Sequence, residues 1–568
     1  MCGIAGILGP TPDEALVRRM IEAIAHRGPN GIRTETGPGF AFAHARLSII
    51  DLEGGWQPLH AAGATVIGNG EIYNYLELIE QFQLRDLNTG SDFEPQLHLW
   101  SRLGPDVLRE LRGMYAQCLL ADGAQVLSRD PFGIKPLYIG DGGRLAFASE
   151  PRALLTETRP VMVRERAEEL LALNYTLGSG TIFKGVRRVA PGETLGAKVD
   201  APAFVARTHA PRPISEAEAL TRLDAVLEDS VKVHQRSDVP YGLFLSGGID
   251  SAAIATLMAR LNSRPVTAYT CGFDDPAASD ERRAAEKVAR SLDLDWRETP
   301  FGAEDFWRIA PEVAWALDDP TTDFATLPTY KLAEAAKGTL TVVLTGEGGD
   351  ELFGGYGRYR RALRPRWLGG RPAEPQLNAP FLKDGGAAAL ARWRAAAAAE
   401  VAPRKGLTAL QQAQAADMAT WLPHDLLLKL DRCLMAHGLE GRTPFLDLEV
   451  AEFAFHLLDA LKVKGRFGKH ILRKWLEAHC PAADAWARKK GFTVPVAGWI
   501  APRARALGPR IAAVEGVREV CDLDAVRAVF DRDELASARW PLLFFALWWT
   551  IHIGGATRAE AAQTVIGG

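Results

Sequence analysis

Three short stretches of this 568-residue chain carry residue types that could do chemistry. The first is MCGIAGI at the start. Removal of Met1 would leave Cys2 with a free α-amino group beside its thiol. Such an amine titrates near pH ~7.7–8.0 and can serve as a local base for the sulfur. Taken alone, the stretch reads better as a half-buried first strand with a passenger cysteine. The second stretch is SGGIDS, Ser246 to Ser251, which follows an apolar run from Tyr241 to Leu245 and opens a helical pattern. Gly247 and Gly248 let backbone approach an anion, Ser246 and Ser251 add hydroxyl donors, and the helix start offers free N–H groups. Pyrophosphate fits such a turn. Asp250 would repel a bare phosphate unless Mg²⁺ lies between them. The third stretch is GEGGDELFGGY, Gly346 to Tyr356, with Glu347, Asp350 and Glu351. Turns at the carboxyl ends of parallel strands meet in one crevice. Asp250 and Asp350 could face the same metal–pyrophosphate group there, and Glu347 could take a proton from an attacking amine. The usual GxxxxGK[ST] phosphate loop is absent from the sequence.

These stretches need elements to hold them. Up to about residue 195, apolar runs such as GFAFAHARLSIIDL, ATVIGNGEIYNY, GMYAQCLLADG and RLAFASE alternate with glycine turns, a sheet-rich pattern with a few covering helices. Thr11 to Glu14 reads as a capping box with Pro12 at the first helical position, followed by Leu16, Met20 and Ile24 on one face. A proline- and alanine-rich stretch without period marks a linker at 196–214. Beyond it, buried strands alternate with helices in the manner of a parallel sheet, and after residue 405 the pattern is helical. Residues 361–405 read as an insert, helical or mobile. The apolar WPLLFFALWWTIHIGG is too short for a membrane span and reads as a buried helix.

Composition narrows the classes. Lys plus Arg is 66 against 70 Asp plus Glu, which gives no sign of a nucleic-acid or membrane partner. Six scattered cysteines without a CxxC pair exclude a disulfide framework and a zinc site, so a cytoplasmic protein is expected. The oligomeric state is left open, with a homodimer allowed.

SGGIDS with LTGEGGDELFGGY resembles the PP-loop, or N-type, ATP pyrophosphatases, which cleave ATP between the α and β phosphates and adenylate a carboxylate or carbonyl. Thr345 stands where serine is more usual and keeps the hydroxyl. The ordered series MCGIAGI, HRGP, HARLSIIDL, NGEIYNY, SDFE and RDPFGIKPLY resembles the class II glutamine amidotransferase domain, with aspartate replaced by Asn30 after HRGP. That resemblance implies an α+β N-terminal-nucleophile hydrolase of four αββα layers over 1–195. Cys2 would be its nucleophile, and the Asn69 amide with the Gly70 N–H its oxyanion hole. Arg46 would take the α-carboxylate of glutamine. Asp92 and the Glu71 region would take the α-ammonium. Residues 215–568 would form an α/β PP-loop domain with a helical C-terminal part. There Leu245, Ser246, Gly247, Gly248, Asp250, Ser251, Thr345 and Gly346 would bind ATP, and Asp250 with Asp350 would hold Mg²⁺.

The two halves in this order resemble the glutamine-dependent asparagine synthetases. LDDPTTDFATLPTY (317–330), LLLKLDRCLMAHGLEGRTPFLD (426–447), KHILRK (469–474) and RKKGFTVPVAGWI (488–500) extend the likeness over most of the chain. Lys469 would stabilise charge on the α-phosphate. Asp431, Arg432, Glu440 and Arg442 are read either as interface ion pairs or as catalytic groups. The implied substrates are glutamine, ATP and a carboxylate, aspartate or another acid. Asp319, in place of the more common glutamate, and Gly441 leave the acceptor open. An amidotransferase with an unrelated second domain is disfavoured by SGGIDS and GEGGDE, and a non-catalytic scaffold by the intact Cys2, Arg46, Asn69, Asp250 and Asp350.

Overall fold

The computed structural model describes residues 2–142, 144–199, 201–273, 275, 281–487 and 494–567. Glycine turns and apolar runs in the first third produce the strands β1 (Gly3–Leu8), β2 (Ile32–Gly37), β3 (Phe40–Ala45), β4 (Leu59–Ala61), β5 (Ala64–Ile72), β6 (Gly113–Ala121), β7 (Ala124–Arg129), β8 (Tyr138–Gly140), β9 (Leu145–Ala148), β10 (Val186–Arg188) and β11 (Thr194–Leu195). They pair antiparallel in two sheets, ordered β10-β8-β9-β1-β3-β2 and β11-β7-β6-β5-β4.

Alternation along these strands sends every second side chain to one face. Ile4 and Leu8 of β1, Phe42 of β3, Ile67 of β5, Cys118 of β6 and Leu127 of β7 share one core that both sheets contribute to. Ala5, Ala41 and Ala43 instead meet Val17, Met20 and Ile21 of the helix Glu14–Glu22. Val66, Leu119 and Val126 meet Leu97 and Trp100 of the helix Pro95–Leu103. The first helix begins later than its capping box predicts. Asp13 is the cap, and its carboxylate accepts from Leu16 N at 2.9 Å, which places Thr11 and Pro12 before the helix.

The second half is built on five parallel strands, β12 (Tyr241–Phe244), β13 (Thr267–Phe273), β14 (Asp295–Phe301), β15 (Val342–Leu344) and β16 (Glu440–Arg442). Their order is β14-β13-β12-β15-β16. The chain runs outward from β12 to β14, then returns to the other side of β12. Ligands bind at such a reversal, beyond the carboxyl ends of the two central strands. SGGIDS follows β12 and GEGGDE follows β15, so both motifs land there.

Helices complete the second half. In the segment 361–405 the structure has the helix Ala387–Val401, whose Trp393 indole donates to Thr420 Oγ1 at 3.2 Å. The apolar stretch near the C-terminus is the buried helix Arg539–His552. Trp540 and Trp548 on it donate to Thr322 O at 2.9 Å and Asp318 O at 3.1 Å. No helix among the described residues is long and apolar enough to cross a membrane.

Charge joins the halves. Arg27 donates to Glu150 Oε1 at 2.9 Å and to Asp431 Oδ2 at 2.8 Å, with all three side chains buried. Arg432 stands 3.5 Å from Glu150 Oε1, and Arg188 grips Asp319 with two bonds of 2.6 Å. Removing one partner of a buried pair leaves a charge without compensation, at a cost of about 3 kcal/mol. Asp431→Ala should therefore lower the free energy of tryptophan-monitored urea unfolding by that order, and the midpoint with it. A midpoint unchanged from wild type would show that the pair does not hold the halves together.

Candidate active sites

β1 and β3 place Gly3 opposite Ala45, so Cys2 enters the first sheet beside Arg46. The Cys2 backbone nitrogen donates to Asn69 Oδ1 at 3.0 Å. That bond turns the amide of Asn69 so that Nδ2 is buried and has no hydrogen-bond partner among the described residues. An orphaned donor costs free energy until an acceptor arrives, and an oxyanion formed at Cys2 is such an acceptor. Gly70, next in β5, has φ +138°, and a Cβ there would lie 1.9 Å from Met114 O. Only glycine fits this position, next to Asn69 in the strand.

Arg46 is buried. Its guanidinium donates to Leu52 O at 3.0 Å and Asp51 O at 2.5 Å and lies 5.0 Å over the Trp56 ring. No carboxylate pairs with it among the described residues. Glu71 and Asp92 are buried together. Asp92 accepts from Ile72 N at 2.7 Å, and Glu71 meets Arg442 at 3.2 Å. Burial pushes the Asp92 carboxyl up to about 7 and Glu71 well above the ordinary carboxylate range, with Asp92 adding to the shift at Glu71. One guanidinium without a carboxylate, and two carboxylates short of positive charge, match the two charged ends of an amino acid.

In the second half, the SGGIDS turn is tied by its serines. Ser246 N and Gly248 N donate to Ser251 Oγ and Ser246 Oγ, each at 3.1 Å, ahead of the helix Ile249–Leu261. Gly247 N donates to Glu281 Oε2 at 3.3 Å, so an anionic oxygen already rests on the loop. Leu245, at the end of this strand, is buried. Thr345 donates its N–H to Arg442 O at 2.9 Å. Its hydroxyl donates to the same carbonyl at 3.4 Å.

Close packing of glycine lets the two acidic turns touch. A Cβ on Gly349 would lie 2.6 Å from Asp250 Oδ1, and one on Gly355 would lie 1.8 Å from Asp350 Oδ1. Gly346 likewise packs against Asp250. Lys469, buried at φ +57°, reaches between the two acids, touching Asp250 and standing 2.6 Å from Asp350 Oδ1. Burial opposes its charge, yet Asp250 and Asp350 hold its pKa above the ordinary lysine value. Two carboxylates converging on a cation form a hard-oxygen donor set of the kind Mg²⁺ uses together with phosphate oxygens. No cluster of three or more metal-ligating side chains occurs among the described residues.

Glu347 is pushed up by burial and by Asp323, Asp350 and Asp250, against the pull of Lys429. Lys429 and Asp323, paired at 2.9 Å, are charged neighbours of this site that the motifs did not single out. Both lie inside quoted segments, and the signal was a lysine and an acid in otherwise apolar or small surroundings. Asp319 sits with Arg188 and Tyr138 at the interface, and a Cβ on Gly441 would press on Leu430 at 3.0 Å. These two departures thus serve packing between elements. Asp431 and Arg432 form ion pairs across the interface, with Arg27 and Glu150, and Arg442 pairs with Glu440 at 2.6 Å. Residues 488–493 of the last motif lie outside the described residues.

The Glutamine amidotransferase domain family model matches residues 1–207, and the Asparagine synthase family model matches 222–550, more than half of the chain. The chain belongs to the asparagine synthase family. Asparagine synthetase [glutamine-hydrolyzing] 1 of Bacillus subtilis is 31% identical, covering 97% of each chain. A putative asparagine synthetase [glutamine-hydrolyzing] of Mycobacterium bovis is 34% identical over the same shares. Asparagine synthetase B of Escherichia coli is 29% identical, covering 88% of this chain and 83% of its own. In this asparagine synthase family member the amidotransferase-like and synthase-like motifs each gather into one site.

The helix Gly349–Phe353 carries a further acid, Glu351, which accepts from the Tyr356 hydroxyl at 2.6 Å. Burial, then Asp350, pushes it up to about 8. A carboxyl raised from 4.5 to about 8 binds its proton more tightly folded than unfolded. Its contribution is therefore full below about pH 4.5 and is lost as pH rises toward 8. Glu351→Gln cannot lose it. Urea unfolding at several pH values should show the variant gaining on wild type by roughly 4 kcal/mol over that window. A difference constant with pH would place the Glu351 pKa near its ordinary value.

Proposed function

We propose that this chain is a glutamine-hydrolysing asparagine synthetase. Its overall reaction converts ATP, aspartate, glutamine and water to AMP, pyrophosphate, asparagine and glutamate. The observation that carries the reading is the presence of two complete polar sites in one chain: Cys2 against Asn69 and Gly70, and Lys469 between Asp250 and Asp350. The domains are residues 1–195, a four-layer αββα hydrolase, and 215–568, joined by the linker 196–214.

At the first site, glutamine enters with its α-carboxylate on Arg46 and its α-ammonium on Asp92 and Glu71. The Cys2 sulfur attacks the carboxamide carbon while the freed α-amine accepts the thiol proton. Asn69 Nδ2 and the Gly70 N–H hold the oxyanion. Collapse expels ammonia and leaves a glutamyl thioester, which water hydrolyses to glutamate. At the second site the SGGIDS turn, with Thr345 and Gly346, holds the ATP phosphates. The aspartate β-carboxylate attacks the α-phosphorus, giving β-aspartyl adenylate and releasing pyrophosphate. Lys469 stabilises the charge that grows on the phosphate oxygens. Mg²⁺, held by Asp250 and Asp350, would neutralise pyrophosphate charge when bound. Ammonia then attacks the acyl carbon, Glu347 takes a proton from the nitrogen, and AMP leaves.

Supplied with Mg²⁺, ATP, glutamine and aspartate, the purified chain should release AMP and pyrophosphate in step with asparagine. Failure to split ATP this way with any acid would end the reading. Cys2→Ala should lower glutamine-dependent asparagine formation by at least about 1,000-fold. Ammonium chloride should still support the reaction in that variant. Residual glutamine hydrolysis at the wild-type rate would remove Cys2 from the role of nucleophile.

A further inference from the structure

Glu347 has two sets of charged neighbours, and only one of them belongs to the phosphate loops. Asp250 and Asp350 form that set. Lys429 and Asp323 form the other. Lys429 lies in the helix Leu427–Met435 with its side chain 5% accessible, and Asp323 is 16% accessible, so water reaches the pair from the Asp323 side. Phe324, in the same turn, is exposed to solvent. Lys429 Nζ makes one hydrogen bond among the described residues, to Asp323 Oδ2 at 2.9 Å. An ammonium has three donors, so two remain for another acceptor. Glu347 makes no hydrogen bond or ion pair with the described residues and faces the same group of charges.

Folding does not explain the pair. A buried ion pair gives little net stability over apolar residues of similar size. The local charge is also unbalanced, because Lys429 faces three acids, Asp323, Glu347 and Asp425. The turn carrying Asp323 is fixed in advance. Thr322 Oγ1 donates to Asn174 Oδ1 at 2.8 Å, Trp540 holds Thr322 O, and Thr321 donates to Asp425. Preorganised, oppositely charged groups next to a reaction centre suit a zwitterion.

We infer that Lys429 and Asp323 recognise the main-chain groups of the acceptor. The Lys429 ammonium takes the α-carboxylate of an amino acid, and the Asp323 carboxylate takes its α-ammonium. The acceptor's side-chain carboxylate is thereby left on the Glu347 side, toward the phosphate loops. This assignment rests on the proposed amidation of aspartate and deepens it by naming the residues that select its two main-chain groups.

The test uses the full chain with ammonium chloride as nitrogen donor, ATP, Mg²⁺, and four acceptors: aspartate, aspartate α-amide, N-acetylaspartate and succinate. Wild type should strongly prefer aspartate. Lys429→Met should raise the KM for aspartate by about 100-fold, leave the KM for ATP near wild type, and erase the preference for aspartate over its α-amide. Asp323→Asn should erase the preference over N-acetylaspartate. Lys429→Arg should recover part of the affinity for aspartate. Glutamine hydrolysis at Cys2 in the same preparations reports whether each variant is folded. Equal losses for aspartate and its α-amide in Lys429→Met would overturn the assignment, as would wild-type turnover of succinate as fast as aspartate. No AMP from wild type with any acid would instead overturn the amidation itself.

Discussion

Arg27 is a cation sealed from water between the two halves of the chain, and their assembly depends on it. Its Nε donates to the carbonyl of Cys2 at 3.3 Å, while its other nitrogens hold Glu150 and Asp431. A guanidinium this deep is tolerable only while its carboxylates stay in place. Neither half can withdraw without stranding a charge. The backbone of Cys2 is thereby fixed to the helix Leu427–Met435 of the other half. That helix also carries Arg432 toward Asp318 and Lys429 toward Asp323. One helix thus holds the domain contact and part of the surroundings of the second site.

The second constraint is steric. A phosphate loop that carries its own acid can work only if that acid meets compensating charge, and here the charge comes from a distant lysine. The reversal of strand order around β12 brings SGGIDS and GEGGDE side by side. Even so, the side chains would collide without Gly346, Gly349 and Gly355. Lys469 holds a left-handed backbone conformation that non-glycine residues seldom adopt. Such a conformation persists where surrounding contacts over-determine it, and the two acids on its ammonium provide those contacts. Glycine content and lysine strain are parts of one solution to a crowded charge cluster.

The local features were legible in the sequence because their physics is local. A glycine pair ahead of a helix, or an apolar run ended by a turn, declares itself within a few residues. Cys2, Asn69 and Gly70 were legible only as an ordered series, since their contact spans 67 positions. What could not be read were pairings across the chain. Arg27 and Asp431 are 404 residues apart, and nothing near either one names the other. Asp319 looked like a clue to the acceptor because of where it falls in a motif, but its partners are Arg188 and Tyr138. The helix Ala387–Val401 was ambiguous because an alanine run carries almost no periodic signal. Trp393 settles it by docking on Thr420. The capping pattern points to Thr11, two residues ahead of the cap at Asp13, because Thr11 and Pro12 satisfy it, and only backbone geometry separates them.

Arg442 shows how the two sites can sense each other. Its guanidinium binds Glu440 and reaches Glu71, one of the two acids proposed to take the α-ammonium of glutamine. Its own carbonyl receives the N–H and the hydroxyl of Thr345, at the mouth of the second phosphate loop. The residue therefore touches one site with its side chain and the other with its backbone, within β16. A change of charge at Glu71 alters the pull on the guanidinium, and the strand that feels this pull is hydrogen-bonded in register to β15, which leads into Thr345. Packed, fully paired groups of this kind do not deform smoothly. They transmit a displacement or resist it as a unit. Buried charge at this boundary therefore differs from an apolar interface of equal area, because it ties the position of β16 to the charge carried by Glu71.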